Sequence, residues 1–149
     1  MLHDWPFLRA VFFFFLPLTF LVHCAGPQVA KEEEKAKLRS RIDEYWQYRI
    51  KGDVERAYQC ELPAFRETVS ILQYVNRFKL VRYVDAEVQE IDIDVRDATS
   101  KTKVTYIVFF KAFRDRKLSK LEQEKWVKIE NTWYHVPEDF DMKKDESKS

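Results

Sequence analysis

The chain has 149 residues, 46% of them hydrophobic and 15% aromatic, which suits one domain plus a leader or tail and excludes a collagenous, low-complexity or disordered protein. Lys and Arg number 26 against 25 Asp and Glu, so the formal charge of +1 leaves no electrostatic footprint for nucleic acid. Two cysteines exclude a disulfide framework, and two glycines leave no backbone cradle of the GxGxxG, P-loop or GxSxG kind.

The first 26 residues differ from the rest. Behind Arg9, the stretch from Val11 to Val22 carries no charge and includes four consecutive phenylalanines. It is shorter than the roughly 20 apolar residues that a spanning helix needs, and it has the length of a signal-peptide h-region. Leu21-Val22-His23-Cys24-Ala25 then resembles a bacterial lipobox, with His23 where a small residue is expected. That resemblance implies a lipoprotein: residues 1–23 are a signal peptide, Cys24 is the site of lipid attachment, and Ala25 favours the outer membrane. An uncleaved anchor from about Phe7 to Ala25 and soluble secretion stay open, and all three readings place the domain outside the cytoplasm. Several acyl chains on Cys24 would suffice for stable anchoring where one is marginal. Cys60 is then left as a buried small hydrophobe.

Residues 24–37 read as a polar tether and 38–137 as the folded domain. Leu38, Ile42, Trp46 and Ile50 recur every four residues, which predicts an amphipathic helix ending at Gly52. Asp53 caps a short second helix containing Ala57 and Tyr58. A third starts at Pro63, with Phe65, Val69, Leu72 and Val75 on one face.

From Leu80 the period becomes two. Val84, Ala86 and Val88 share one parity while Ile91, Ile93 and Val95 share the other, so a bulge near Gln89-Glu90 is required to keep both sets on the core face. Asp97 to Ser100 reads as a turn, and a strand follows from Lys103 to Phe113 with Val104, Tyr106, Val108 and Phe110 on one side and Ile107 and Phe109 on the other. A charged connection from Arg114 to Lys120 leads to a hairpin, Trp126 to Ile129 and Trp133 to Val136, turning at Glu130-Asn131. Residues 138–149 read as a disordered polar tail. The fold class is therefore α+β: three N-terminal helices packed on a curved, bulged antiparallel sheet.

Tyr45-Trp46, Gly52-Asp53, Ala57-Tyr58, Pro63, Arg66 and Tyr74, with Trp126, Asn131, Trp133 and Tyr134, together resemble the nuclear transport factor 2-like (NTF2-like) family over about residues 36–137. The resemblance implies a cone whose cup can carry a titrating residue. Isomerases of this kind use an aspartate base, and dehydratases use a His–Asp pair. Here His135 is the only histidine after the leader, and it reads as a partly exposed strand residue without a partner. Asp92 and Asp94 alternate with core aliphatics and read as surface charges. One histidine and one free thiol cannot build a soft metal site, so no metal and no cofactor are expected. Tyr45, Trp46, Tyr58, Tyr106, Phe110 and Trp126 are candidates to line an aromatic cup.

The expected function is a non-catalytic envelope lipoprotein domain acting as an interaction or scaffold module. Its partners would be the membrane through the lipid anchor and an envelope protein or a second copy through the sheet. A small apolar-ligand binder using the aromatic cup and an isomerase- or dehydratase-like enzyme are the alternatives. An interaction protein needs an exposed apolar sheet face around Ile107 and Phe109, a binder needs a cavity, and an enzyme needs a cavity with an ionisable group facing it.

Overall fold

A computed structural model describes residues 27–78, 80–109 and 116–140. The expected leader, Cys24, Phe110 and the tail beyond residue 140 lie outside these. Among the described residues no helix is long and apolar enough to cross a membrane.

Helix α1 spans Pro27–Lys51. Proline at its first position loses nothing, because that N–H has no intrahelical partner. The helix thus includes the stretch 27–37 expected as a tether. Lys128 reaches back to Glu34 at 2.5 Å, which fixes the polar half of α1 to the sheet. Leu38, Ile42, Tyr45 and Trp46 form its buried stripe, each worth about 2 kcal/mol against exposure. Gly52, at φ 72°, ends α1 in the left-handed conformation. Asp53 accepts a hydrogen bond from the Arg56 N–H and starts α2, Val54–Gln59.

The expected third helix is two helices, α3 (Pro63–Thr68) and α4 (Ile71–Arg77). Ser70 breaks the run by forming a capping box: its hydroxyl accepts from the Gln73 N–H while the Gln73 side chain accepts from the Ser70 N–H. The break resets the helical phase. Tyr74 becomes the buried residue of α4, and Leu72, expected in the core, is 74% exposed.

The sheet is an antiparallel meander in the order β1 (Val81–Asp94), β2 (Asp97–Val108), β3 (Lys117–Ile129), β4 (Thr132–Val136). Register shifts between Tyr83 and Asp85 and between Val88 and Glu90 bend β1, the second at the expected bulge. That slip is what lets Val88 and Ile91 both face the helices and leaves Asp92 and Asp94 exposed. The first hairpin turns at Val95-Arg96, two residues ahead of the turn expected at Asp97–Ser100, and it forces φ 29° on Val95. Asp97 to Ser100 therefore belong to β2, where Ala98 and Ser100 point into the core. β3 likewise starts earlier than expected, because Lys117 and Leu118 already pair with Ile107 and Tyr106. Glu130 and Asn131 both have positive φ, the backbone of a two-residue type I′ hairpin.

The free side of β4 is not an open edge. The Leu62 N–H donates to the His135 carbonyl and the His135 N–H to the Cys60 carbonyl, both at 2.9 Å, so the α2–α3 corner lies along the last strand. Beyond β4, residues 138–140 are packed rather than frayed. Phe140 sits edge-on to Phe65 at 5.8 Å, and Asp139 pairs with Arg77.

Candidate functional site

Two places combine charge with burial: an interior cluster on the concave face of the sheet, and an open groove at the C-terminal end of α1.

The interior cluster centres on Glu61, 1% exposed at the corner where α2 ends. One carboxylate oxygen accepts from the Tyr74 hydroxyl at 2.7 Å and from the Tyr45 hydroxyl at 3.2 Å. The other lies 2.6 Å from His135 Nδ1. His135 is thus corrected from a partnerless strand residue to half of a buried pair, with its side chain 13% exposed. Pairing with the 60–62 segment brings the two together, and Tyr45 stacks on the imidazole at 4.8 Å. Burial pulls the histidine pKa down, but the Glu61 charge and hydrogen bond outweigh it, so the value stands above the usual one. Burial pushes the Tyr45 and Tyr74 hydroxyls up, and both stay protonated donors. Cys60 beside them is pushed up to about 11 by burial, which makes it an inert packing thiol.

A second buried carboxylate lies nearby on β3. Glu124, 5% exposed, accepts from Ser100 at 2.9 Å and Thr102 at 2.7 Å through one oxygen. Ser100 in turn accepts from the Trp126 indole N–H. The other Glu124 oxygen has no hydrogen-bond partner.

These residues fill the concavity with protein. Tyr45, Trp46, Tyr58 and Trp126, expected around a cup, are buried against one another and their neighbours. The Tyr58 hydroxyl is spent on the carbonyls of Arg66 and Val69. Tyr106 is half-buried, 6.4 Å from Tyr83. Trp126 also reaches a shallow concavity of about 180 Å³, whose rim holds Asp92, Asp94 and Asp97 together with Lys125. Among the described residues no group of three or more His, Cys, Asp or Glu side chains is placed to hold a metal ion.

The groove is larger, about 330 Å³. Its floor is apolar, built from Ile50, Val54, Val75, Phe78, Val81 and Tyr83, with Phe109 at the rim. Its charged walls are Arg49, Lys51 and Arg82, and among the described residues no carboxylate lines it. Arg49 is the residue that periodicity alone passes over, because it shares the Tyr45 side of α1. Its guanidinium carbon lies 3.7 Å from the Phe78 ring centre, 4.6 Å from Tyr83 and 5.4 Å from Trp46. It donates to the Tyr45 hydroxyl, yet among the described residues no carboxylate comes within ion-pair distance of it. Burial disfavours its charge, but the surrounding Tyr45, Tyr74 and Tyr83 hydroxyls and Glu61 raise its pKa, so it is a permanent cation.

Helices on one face of a four-stranded, curved and open antiparallel sheet define the class as α+β. No known family profile and no curated protein matches the chain. Solved structures do. The chain is similar to a SEC-C motif containing protein from Rhodopseudomonas palustris, at 13% identity and TM-score 0.58, over 76% of this chain and 86% of that one. A SEC-C motif containing protein from Psychrobacter arcticus gives 18% identity and TM-score 0.58 over 71% of this chain, which spans 62% of that one. A function-unknown protein from Mycobacterium tuberculosis gives 16% and 0.52, over 75% and 73% of the two chains. At such identities the likeness shows a shared fold alone.

Proposed function

We propose that this chain is a non-catalytic binding domain of NTF2-like type, held at the cell envelope by lipid on Cys24, that takes a small apolar ligand in the groove at the end of α1. The observation that carries the reading is the groove: about 330 Å³ of open, apolar-floored space edged by a few polar groups, the usual composition of a ligand pocket. The aromatic cup of the sequence reading is replaced by this neighbouring opening, where Phe78, Tyr83 and Phe109 supply the rings.

The interior pair does not favour an enzyme. A general acid or base must reach substrate, yet neither Glu61 nor His135 lines the groove or the shallow concavity. Both are committed to each other and to Tyr45 and Tyr74. The lipobox-like segment and the composite aromatic pattern support the envelope and NTF2-like parts of the reading.

N-phenylnaphthylamine, whose fluorescence rises in apolar pockets, tests the groove. Saturable binding to the full chain is expected, and it should be lost in Val75→Trp, which fills the groove from α4. Absence of saturable binding overturns the reading. The anchor is tested by metabolic palmitate labelling: label present in the wild type and absent in Cys24→Ser is expected, and an unlabelled wild type removes the lipid.

The scaffold reading keeps one specific observation. Leu72, Leu80 and Phe109 are 74%, 63% and 58% exposed, and the last two are joined by a backbone hydrogen bond at the groove rim. The rest of the outer sheet face is mixed, with Glu87, Glu90, Lys101 and Lys103 exposed or half-exposed along it and Leu121, 54% exposed, beside Lys103. Concentration-dependent mass by light scattering tests self-association at the rim, and a monomer at all concentrations removes it.

A further inference from the structure

We propose that the groove recognises the carboxylate of a single-chain fatty acid, with Arg49 holding the acid end and the apolar floor holding the alkyl chain. The inference rests on the groove being the ligand site and adds the chemical class of the ligand.

Charge is the first argument. The whole chain is nearly neutral, yet Arg49, Lys51 and Arg82 line the groove and, among the described residues, no acid lines it with them. Some half-buried or buried charges elsewhere have ionic partners, Lys128 with Glu34, Arg41 with Glu44 and Glu61 with His135, whereas Glu124 and Arg66, which have none among the described residues, line neither the groove nor the shallow concavity. Arg49 contacts Glu61 only through Tyr45, and the Glu61 charge is answered by His135. A desolvated cation without a carboxylate is costly, so a ligand that brings one gains what the fold withholds.

Geometry is the second. A guanidinium presents five N–H donors in a planar fork that matches a carboxylate. Phe78 and Tyr83 pack against this fork and hold it, so little side-chain freedom remains to be lost on binding. The rings and aliphatics also keep the surrounding dielectric low, which strengthens a charge-assisted hydrogen bond there.

Size is the third. Ligand pockets run from about 300 to 1,000 Å³. At about 330 Å³ the groove is at the small end, with room for one acyl chain rather than the two of a phospholipid.

The test compares dodecanoate with dodecan-1-ol, which shares the chain and lacks the charge, by titration calorimetry on the full chain below their aggregation limits. The wild type should bind the acid at least about tenfold more tightly than the alcohol. Arg49→Met should bring the two affinities together by weakening the acid alone, and Arg49→Lys should keep part of the preference. Carboxyl-labelled dodecanoate gives a readout that needs no variant: its carbon resonance should keep the ionised position to lower pH when bound. Equal affinity for acid and alcohol overturns the fatty-acid inference while leaving the groove a ligand site. Failure of both to bind overturns the groove as well. An acid preference that survives Arg49→Met but disappears in Arg82→Ser overturns the assignment to Arg49.

Discussion

The interior cluster and the groove sit at the two ends of one hydrogen-bonded chain, and they treat charge in opposite ways. Inside, Glu61 is matched by His135 and capped by two tyrosines. At the groove, Arg49 is surrounded by rings and given one tyrosine oxygen. A charge satisfied on every side holds the fold together, whereas a charge left without its counter-ion is free to act on something outside. Burial alone therefore does not mark a functional group. What sets Arg49 apart is an unfilled requirement at the wall of an open groove.

The contrast can be broken by substitution. Glu61→Gln should be the most damaging change, costing about 3 kcal/mol in urea unfolding, because it leaves the buried histidine without its counter-charge even though the amide oxygen can still accept from Tyr45 and Tyr74. A loss below about 1 kcal/mol would show the cluster to be ornamental. Arg49→Met should cost less, about 1 kcal/mol, because the methionine keeps the packing and forfeits only the cation–ring attraction and one hydrogen bond. If it destabilised as much as Glu61→Gln, the groove cation would be structural after all. Ser70→Ala, remote from both regions, should cost about 1 kcal/mol through the lost cap. Val95→Gly should go the other way and raise the melting temperature, by relieving about 1 kcal/mol of left-handed strain at a β-branched residue.

Acidity sharpens the same comparison. His135 has a folded pKa above its unfolded value of about 6.5. Its pairing therefore contributes fully below the unfolded pKa and is lost as pH rises through the folded one. The urea midpoint of the wild type should fall across that interval. In His135→Gln this component should be absent, and an unchanged slope in that variant would detach the effect from the pair.

Local chemistry was legible in the sequence, and distant pairing was not. The bulge at Gln89-Glu90 followed from two aliphatic triplets of opposite parity, and the hairpin at Glu130-Asn131 from turn chemistry. The Ser70 break was present as a Ser-x-x-Gln box, but the apolar spacing from Phe65 to Val75 masked it. Val95 turns the chain against its own preference, so no propensity argument could place that corner. Glu61 and His135 lie 74 residues apart, and nothing local announces that they meet. The one available hint was a lone carboxylate between Cys60 and Leu62, in a segment otherwise apolar. Arg49 left a similar hint, at i+4 from Tyr45 on the buried side of its helix.

The backbone pairing of residues 60–62 with His135 also sets an order of events. Helices α1 to α4 leave the ribosome first, but the corner between α2 and α3 finds its hydrogen-bond partners only when the final strand has emerged. Until then Glu61 has no histidine, and the helical half waits on β4. Synthesis must pass β4 before the domain can lock.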